Sequence, residues 1–201
     1  MSASARYGIR WALQIAVLCA FAMTFSGSTH AATRARSWRI DEALTWIGFK
    51  IDAVGFPTTH GRFTHYQGQV HLDFDRPAKS FTAFTVESAS VDVGSSAFND
   101  FVKSAALLDV ERFPTMNFTS TQVEKLDAHT ARVTGNLTML GVTKPITLTV
   151  NVESEPLDKV GSVAFVAKGT IMRSDFGMKF GVPLIDDALE ITVKTRAVSD
   201  D

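Results

Sequence analysis

The chain has 201 residues, of which 20 are lysine or arginine and 21 are aspartate or glutamate, so its formal net charge at pH 7 is −1. This balance excludes a strongly basic surface of the kind that binds nucleic acid. Fifteen phenylalanines against two tyrosines supply much large apolar surface without a polar group, and that surface must be buried or offered to a ligand.

The amino end has the pattern of a cleavable signal peptide over residues 1–31. Two arginines precede an apolar run at 11–25, and small residues fit a cleavage site after Ala31. The run is shorter than the roughly 20 residues that a membrane-spanning helix needs. We therefore predict export, with one mature domain at 32–201 that lacks the chain's single cysteine, Cys19.

From residue 45 onward, apolar and polar residues alternate with a period of two. In 66–73 the even positions are apolar and the odd positions polar, and 146–153 repeats the pattern. Such alternation is typical of antiparallel strands with one apolar face. About seven to nine strands at near-regular spacing predict an all-β barrel or sandwich. The pattern leaves open which face of 45–53 points inward, because Trp46 disturbs the alternation there.

One segment, about 95–108, breaks the alternation and is predicted to be helical. Ser95 or Ser96 suits the N-cap, and Phe98 and Phe101 recur at helical spacing. A single helix within a series of β-strands is expected to cover one end or flank of the barrel.

Short segments along the mature chain occur in the order and spacing of a known family. They are Trp38-Arg39-Ile40-Asp41, Gly61-Arg62-Phe63, 103–120, Val133-Thr134-Gly135-Asn136-Leu137-Thr138, 141–145 and Arg173-Ser174-Asp175-Phe176-Gly177. On these segments the sequence resembles the YceI-like family of lipid- and polyisoprenoid-binding proteins, across about 38–198.

The resemblance implies a single eight-stranded antiparallel barrel of lipocalin-like shape, with the helix near one end and a long apolar tunnel. It also implies a soluble periplasmic carrier of a long-chain apolar lipid, a polyisoprenoid or quinone-like molecule. Ala53 stands where many members carry histidine, and Phe98 and Phe101 stand in a helix that is commonly charged. The two phenylalanines fit either a more apolar cargo or tighter packing of the helix.

The predicted site follows from the apolar strand faces and the late loop. The predicted tunnel lining is Phe49, Ile51, Val70, Leu72, Phe74, Phe84, Val86, Met116, Phe118, Leu137, Met139, Leu148, Val150, Phe165 and Ile171. The predicted tunnel mouth is Phe98, Phe101, Arg173, Phe176 and Met178, with Lys179 beside them. Arg173 has an alternative role as a structural loop residue whose guanidinium binds neighbouring carbonyls.

No catalytic pattern is visible in the mature sequence. It has neither a Gly-x-Ser-x-Gly nor a His-Glu-x-x-His motif, and it lacks cysteine. His65, His71 and Asp73 share a strand face, but Gln67 and Gln69 on that face indicate a solvated surface rather than a metal site. We predict no enzyme activity, no metal and no cofactor apart from the bound lipid.

A second hypothesis is a secreted stress or interaction module whose barrel is filled by its own side chains and holds no lipid. An eight-stranded barrel is about wide enough either to be filled or to hold one small ligand. The sequence also leaves open a homodimer and a transient contact with a membrane.

Overall fold

The computed structural model describes residues 36–40, 42–73, 76–153 and 162–199. The predicted signal peptide at 1–31 lies outside the described residues. Eleven strands and one α-helix account for most of the described chain. The strands are β1 (Arg36–Ile40), β2 (Trp46–Ala53), β3 (Phe56–Phe63), β4 (Tyr66–Leu72), β5 (Phe81–Glu87), β6 (Val91–Asp92), β7 (Thr115–Lys125), β8 (Thr130–Met139), β9 (Val142–Val152), β10 (Ser162–Met172) and β11 (Ala188–Ser199), and the helix is α1 (Ser96–Lys103).

All strands join one antiparallel sheet in the order β1-β4-β5-β7-β8-β9-β10-β11-β2-β3-β6, and β1 pairs with β11 as well as with β4. These two pairings curl the sheet around an apolar interior, and we call it the curled sheet. The prediction of an all-β fold with one helix is confirmed. The predicted count of eight strands is wrong, because turns at Glu42–Leu44 and Ser88–Ser90 and a bend at 64–65 interrupt the first part of the sheet.

Strand β2 presents its odd-numbered residues to the interior. Ile47 and Phe49 point inward, whereas Trp46 lies on the outer face with its ring 5.6 Å from the Lys194 ammonium. The ring of Trp46 also covers Gly48, where a larger residue would collide with it. This settles which face of the strand is buried.

The helix is shorter than predicted and ends at Lys103 rather than near residue 108. The Ser104 hydroxyl donates to the Phe101 carbonyl at 2.7 Å and accepts a hydrogen bond from the Ala106 N–H at 3.3 Å. A serine side chain that bonds the backbone in this way competes with continued helix. Ser95 occupies the N-cap position with extended backbone.

The connections divide between two ends of the curled sheet. The helix end carries α1, the β2–β3 turn at 54–55 and the loop 173–187, and the far end carries the turns at 76–80 and 126–129. No helix among the described residues is long and apolar enough to cross a membrane.

Candidate ligand-binding site

The curled sheet encloses a cavity of about 730 Å³ that runs between its two ends. Its wall consists mainly of apolar side chains from the inward strand faces, with α1 contributing at the helix end. This volume lies within the roughly 300–1,000 Å³ typical of small-molecule sites. Along the described strands, the side chains do not fill the interior.

The sequence-predicted lining residues come together around this cavity. Those that border it are Phe49, Ile51, Val70, Leu72, Phe84, Val86, Met116, Phe118, Leu137, Met139, Leu148, Val150, Phe165 and Ile171. Phe74 lies outside the described residues. Contact between the predicted lining residues and a ligand stays a prediction.

Large side chains lie against the wall because glycines face them on the neighbouring strand. Phe49 of β2 is opposite Gly61 of β3, and Phe84 of β5 is opposite Gly68 of β4. A methyl group at Gly68 would lie 2.9 Å from Cδ1 of Phe84 and 2.5 Å from Cδ1 of Ile40. Each ring thus occupies the space that a side chain would take on the adjacent strand, which leaves the centre of the cavity open.

The same arrangement recurs on the opposite side of the curled sheet. A methyl group at Gly135 would lie 2.5 Å from Cζ of Phe118, and one at Gly169 would lie 2.6 Å from Cδ2 of Leu148. The glycines at 68, 135 and 169 were visible in the sequence as gaps in apolar rows. Their pairing with particular large side chains depends on strand register.

Aromatic rings border the cavity at the helix end. Phe98 and Phe101 of α1 stack with ring centroids 6.3 Å apart, and Phe101 meets Phe180 edge-on at 5.3 Å. Phe98, Phe101 and Met178, three of the residues predicted at the tunnel mouth, border the cavity. Phe56 borders it as well and was not anticipated, because the segment around Pro57 has no strand-like alternation.

Arg173 borders the cavity but is only 2% exposed, and its guanidinium is bound to backbone. Nε donates to the Asp186 carbonyl at 2.9 Å, Nη1 to that of Phe180 at 3.2 Å and Nη2 to that of Ile185 at 3.1 Å. Burial lowers the pKa of Arg173, and the nearby Asp187 carboxylate opposes that shift. The alternative role of Arg173 as a structural loop residue is therefore the one that its hydrogen bonds support.

Two other residues predicted at the mouth do not line the cavity. Phe176 is 2% exposed and does not line the cavity. The short helix Arg173–Phe176 places its ring in the packed core beside the cavity. Lys179 is exposed and does not border the cavity.

The far end of the cavity is more polar. Ser80, Lys125 and His129 border it there, next to Asp73 and Asp127. The N–H of His129 donates to Asp127 at 2.8 Å, and this bond holds the pKa of the Asp127 carboxyl below its ordinary value. Sequence reasoning missed Ser80, Asp127 and His129 because turns lack the alternation that identifies inward strand positions.

Within the part of the chain that the structure describes, no three His, Cys, Asp or Glu side chains converge in a way that would hold a metal ion. Asp73, which the sequence placed on a face with His65 and His71, is instead bonded to Arg76 at 2.9 Å.

Comparison with known proteins identifies relatives that cover most of the chain. The profile of the YceI-like domain matches residues 38–197. A "UPF0312 protein" of Pseudomonas aeruginosa is 28% identical over 185 residues, which cover 90% of this chain and 96% of that protein.

Two solved structures share the fold. Burkholderia cenocepacia BcnA superposes with a TM-score of 0.72 at 24% identity, covering 79% of this chain and 99% of that one. A polyisoprenoid-binding domain from Saccharophagus degradans, implicated in plant cell wall breakdown, superposes with a TM-score of 0.60 at 13% identity, covering 83% and 99%.

Proposed function

Because the chain belongs to the YceI-like domain family, we propose that it is a carrier that holds a long-chain apolar lipid inside the curled sheet. The ligand class is a polyisoprenoid or a quinone-like molecule. The observation that carries the proposal is the apolar cavity of about 730 Å³ between the two ends of the sheet. The Saccharophagus degradans domain, which shares the fold and is described as polyisoprenoid-binding, supports the same ligand class.

The energetics suit a hydrocarbon chain. Each buried CH₂ group contributes about 0.8 kcal/mol, so each isoprene unit contributes several kcal/mol before the cost of ordering the chain is subtracted. Selectivity then depends on the length of the cavity and on the few polar groups at its far end. Binding of this kind needs no catalytic group, and we propose a binding protein rather than an enzyme.

The proposed location is the periplasm. It is supported by the signal-peptide pattern at 1–31, which precedes the matched domain at 38–197. A water-filled compartment between two membranes is a place where a long apolar chain needs a protein to cover it.

The direct test is organic extraction of natively expressed protein, purified without detergent, followed by mass spectrometry. We expect a stoichiometric apolar lipid. A matched pair of variants links it to the cavity: Ala167 is buried and borders the cavity, whereas the next residue, Lys168, is exposed on the outer face. Ala167→Trp should lower the lipid content at least about 10-fold, because the indole occupies the lipid's volume.

Lys168→Trp places the same side chain outside and should leave the lipid content unchanged. A lipid-free extract from the wild-type protein would favour the second hypothesis of a secreted module without cargo. Equal lipid in both variants would contradict binding in the cavity.

A further inference from the structure

The helix end of the cavity has an apolar rim that is exposed. Phe56 is 76% exposed, Val54 69%, Leu184 67% and Phe180 49%, and Phe98 of α1 is also exposed. Single exposed apolar residues are ordinary, but a contiguous group at the opening of an apolar cavity marks an interaction site. We call these five residues the rim.

The rim is one continuous surface built from the β2–β3 turn, the start of β3, the loop 173–187 and α1. The N–H of Val54 in the β2–β3 turn donates to the Leu184 carbonyl at 2.8 Å, so the turn and the loop lie side by side. The contact between Phe180 and Phe101 joins the same loop to α1, where Phe101 stacks on Phe98. One backbone hydrogen bond and two ring contacts thus join the elements that carry the rim.

The rim also continues into the wall of the cavity. Phe56 and Phe98 belong to both, and Ile185, next to Leu184, borders the cavity from the loop. Apolar surface therefore extends from the outside of the helix end into the interior.

We propose that the rim docks the protein on a lipid bilayer, with the cavity opening toward the apolar layer. This inference rests on the proposed function, since a long-chain lipid is nearly insoluble in water and has to enter from a membrane. The continuity of rim and cavity favours a bilayer over a second protein. A protein partner on the rim would close the entry, whereas a bilayer extends the apolar path.

The charges that flank the rim indicate how it binds. The carboxylates of Asp52, Asp100 and Asp186 lie on the rim elements together with the ammonium groups of Lys103 and Lys179. This is no basic surface of the kind that anionic lipids attract. Docking therefore depends on insertion of apolar side chains, and it should occur on zwitterionic lipid and be insensitive to salt.

The test is flotation of the purified chain with phosphatidylcholine vesicles at about 0.15 M and about 1 M salt. We expect the wild-type protein to float at both concentrations. Leu184→Ser and Phe56→Ser should each lower the vesicle partition coefficient roughly 10-fold, because each removes a side chain that inserts into the bilayer.

Leu126→Ser is the matched control, because Leu126 is 42% exposed on the far-end turn. It should float like the wild-type protein, and denaturant unfolding should show that all three variants are folded. Docking is overturned if the wild-type protein stays in solution or if Leu126→Ser loses as much binding as Leu184→Ser. It is also overturned if the only effect of the rim substitutions is to dissociate a dimer into monomers.

The lipid content of the same samples separates the two proposals. Ala167→Trp should lose lipid and still float. Wild-type protein that floats but yields no lipid overturns the proposed function and leaves docking standing. Protein that yields lipid but does not float overturns docking and leaves the proposed function standing.

Discussion

The ring of Phe49 lies directly over Gly61, and this pair shows how single residues shape the cavity. A β-carbon at Gly61 would collide with the ring, which would then have to turn away from the wall and into the open centre. Glycine weakens a strand by itself, and its presence there is consistent with a close approach of another group. The glycine thus makes the strand less stable but leaves space for the ring inside the curled sheet.

Replacement of Gly61 tests whether the ring of Phe49 needs the space above the glycine. Gly61→Ala should destabilise the protein by about 1–3 kcal/mol, the usual cost of overpacking, although Gly→Ala at a relaxed backbone stabilises by about 0.4–1 kcal/mol. In a Phe49→Leu background the collision is removed, and the cost should vanish. Urea unfolding of the two single variants and the double variant measures this coupling. Additive effects would show that the ring and the glycine are independent.

Among the longer elements, the loop 173–187, which begins with the short helix Arg173–Phe176, is anchored by polar bonds. Arg173 binds three of its carbonyls, and Asp187 accepts hydrogen bonds from the N–H and hydroxyl of Ser174 at 2.7 and 2.5 Å. These bonds from Ser174 lower the pKa of Asp187. The loop carries part of the rim, so its anchoring also fixes the cavity opening.

Removal of the anchor should loosen the loop and destabilise the fold. Arg173→Met keeps much of the side-chain volume but leaves the carbonyls of Phe180, Ile185 and Asp186 without their donors, at a cost of about 3 kcal/mol or more. Arg173→Lys retains the charge but cannot reach all three carbonyls in the fixed geometry of a guanidinium, so it should recover only part of the loss. Urea unfolding measures both. A loss below about 0.5 kcal/mol for Arg173→Met would contradict the anchoring role.

The sequence predicted those elements whose residues alternate clearly. Strands β8 and β9 were expected from their alternation, and their inward residues Leu137 and Leu148 border the cavity. Strand β3 was missed over most of its length because Pro57 and Gly61 resemble turn residues, and pairing with β2 and β6 makes the segment a strand. The helix was predicted too long because the apolar residues after Ser104 continue its spacing through a series of turns.

At the scale of the whole molecule, the stability of the folded protein depends on whether a ligand occupies the open cavity. A packed core gains dispersion contacts throughout, whereas side chains that face a cavity lack partners on one side. A hydrocarbon chain in the cavity would supply those partners and would bind the folded state alone. The proposed carrier should therefore be more stable with its lipid than without it.

Delipidated protein should melt below lipid-loaded protein. A ligand at 100 times its Kd stabilises the folded state by about 2.7 kcal/mol, which corresponds to a rise in Tm of about 5–10 °C for a chain of this size. Differential scanning calorimetry of extracted protein, before and after a long-chain isoprenoid alcohol is added back, measures the shift. The rise should grow with the logarithm of free lipid concentration and be absent in Ala167→Trp, whose indole occupies the same space. A Tm that is independent of lipid in the wild-type protein would show that the cavity does not hold this class of ligand.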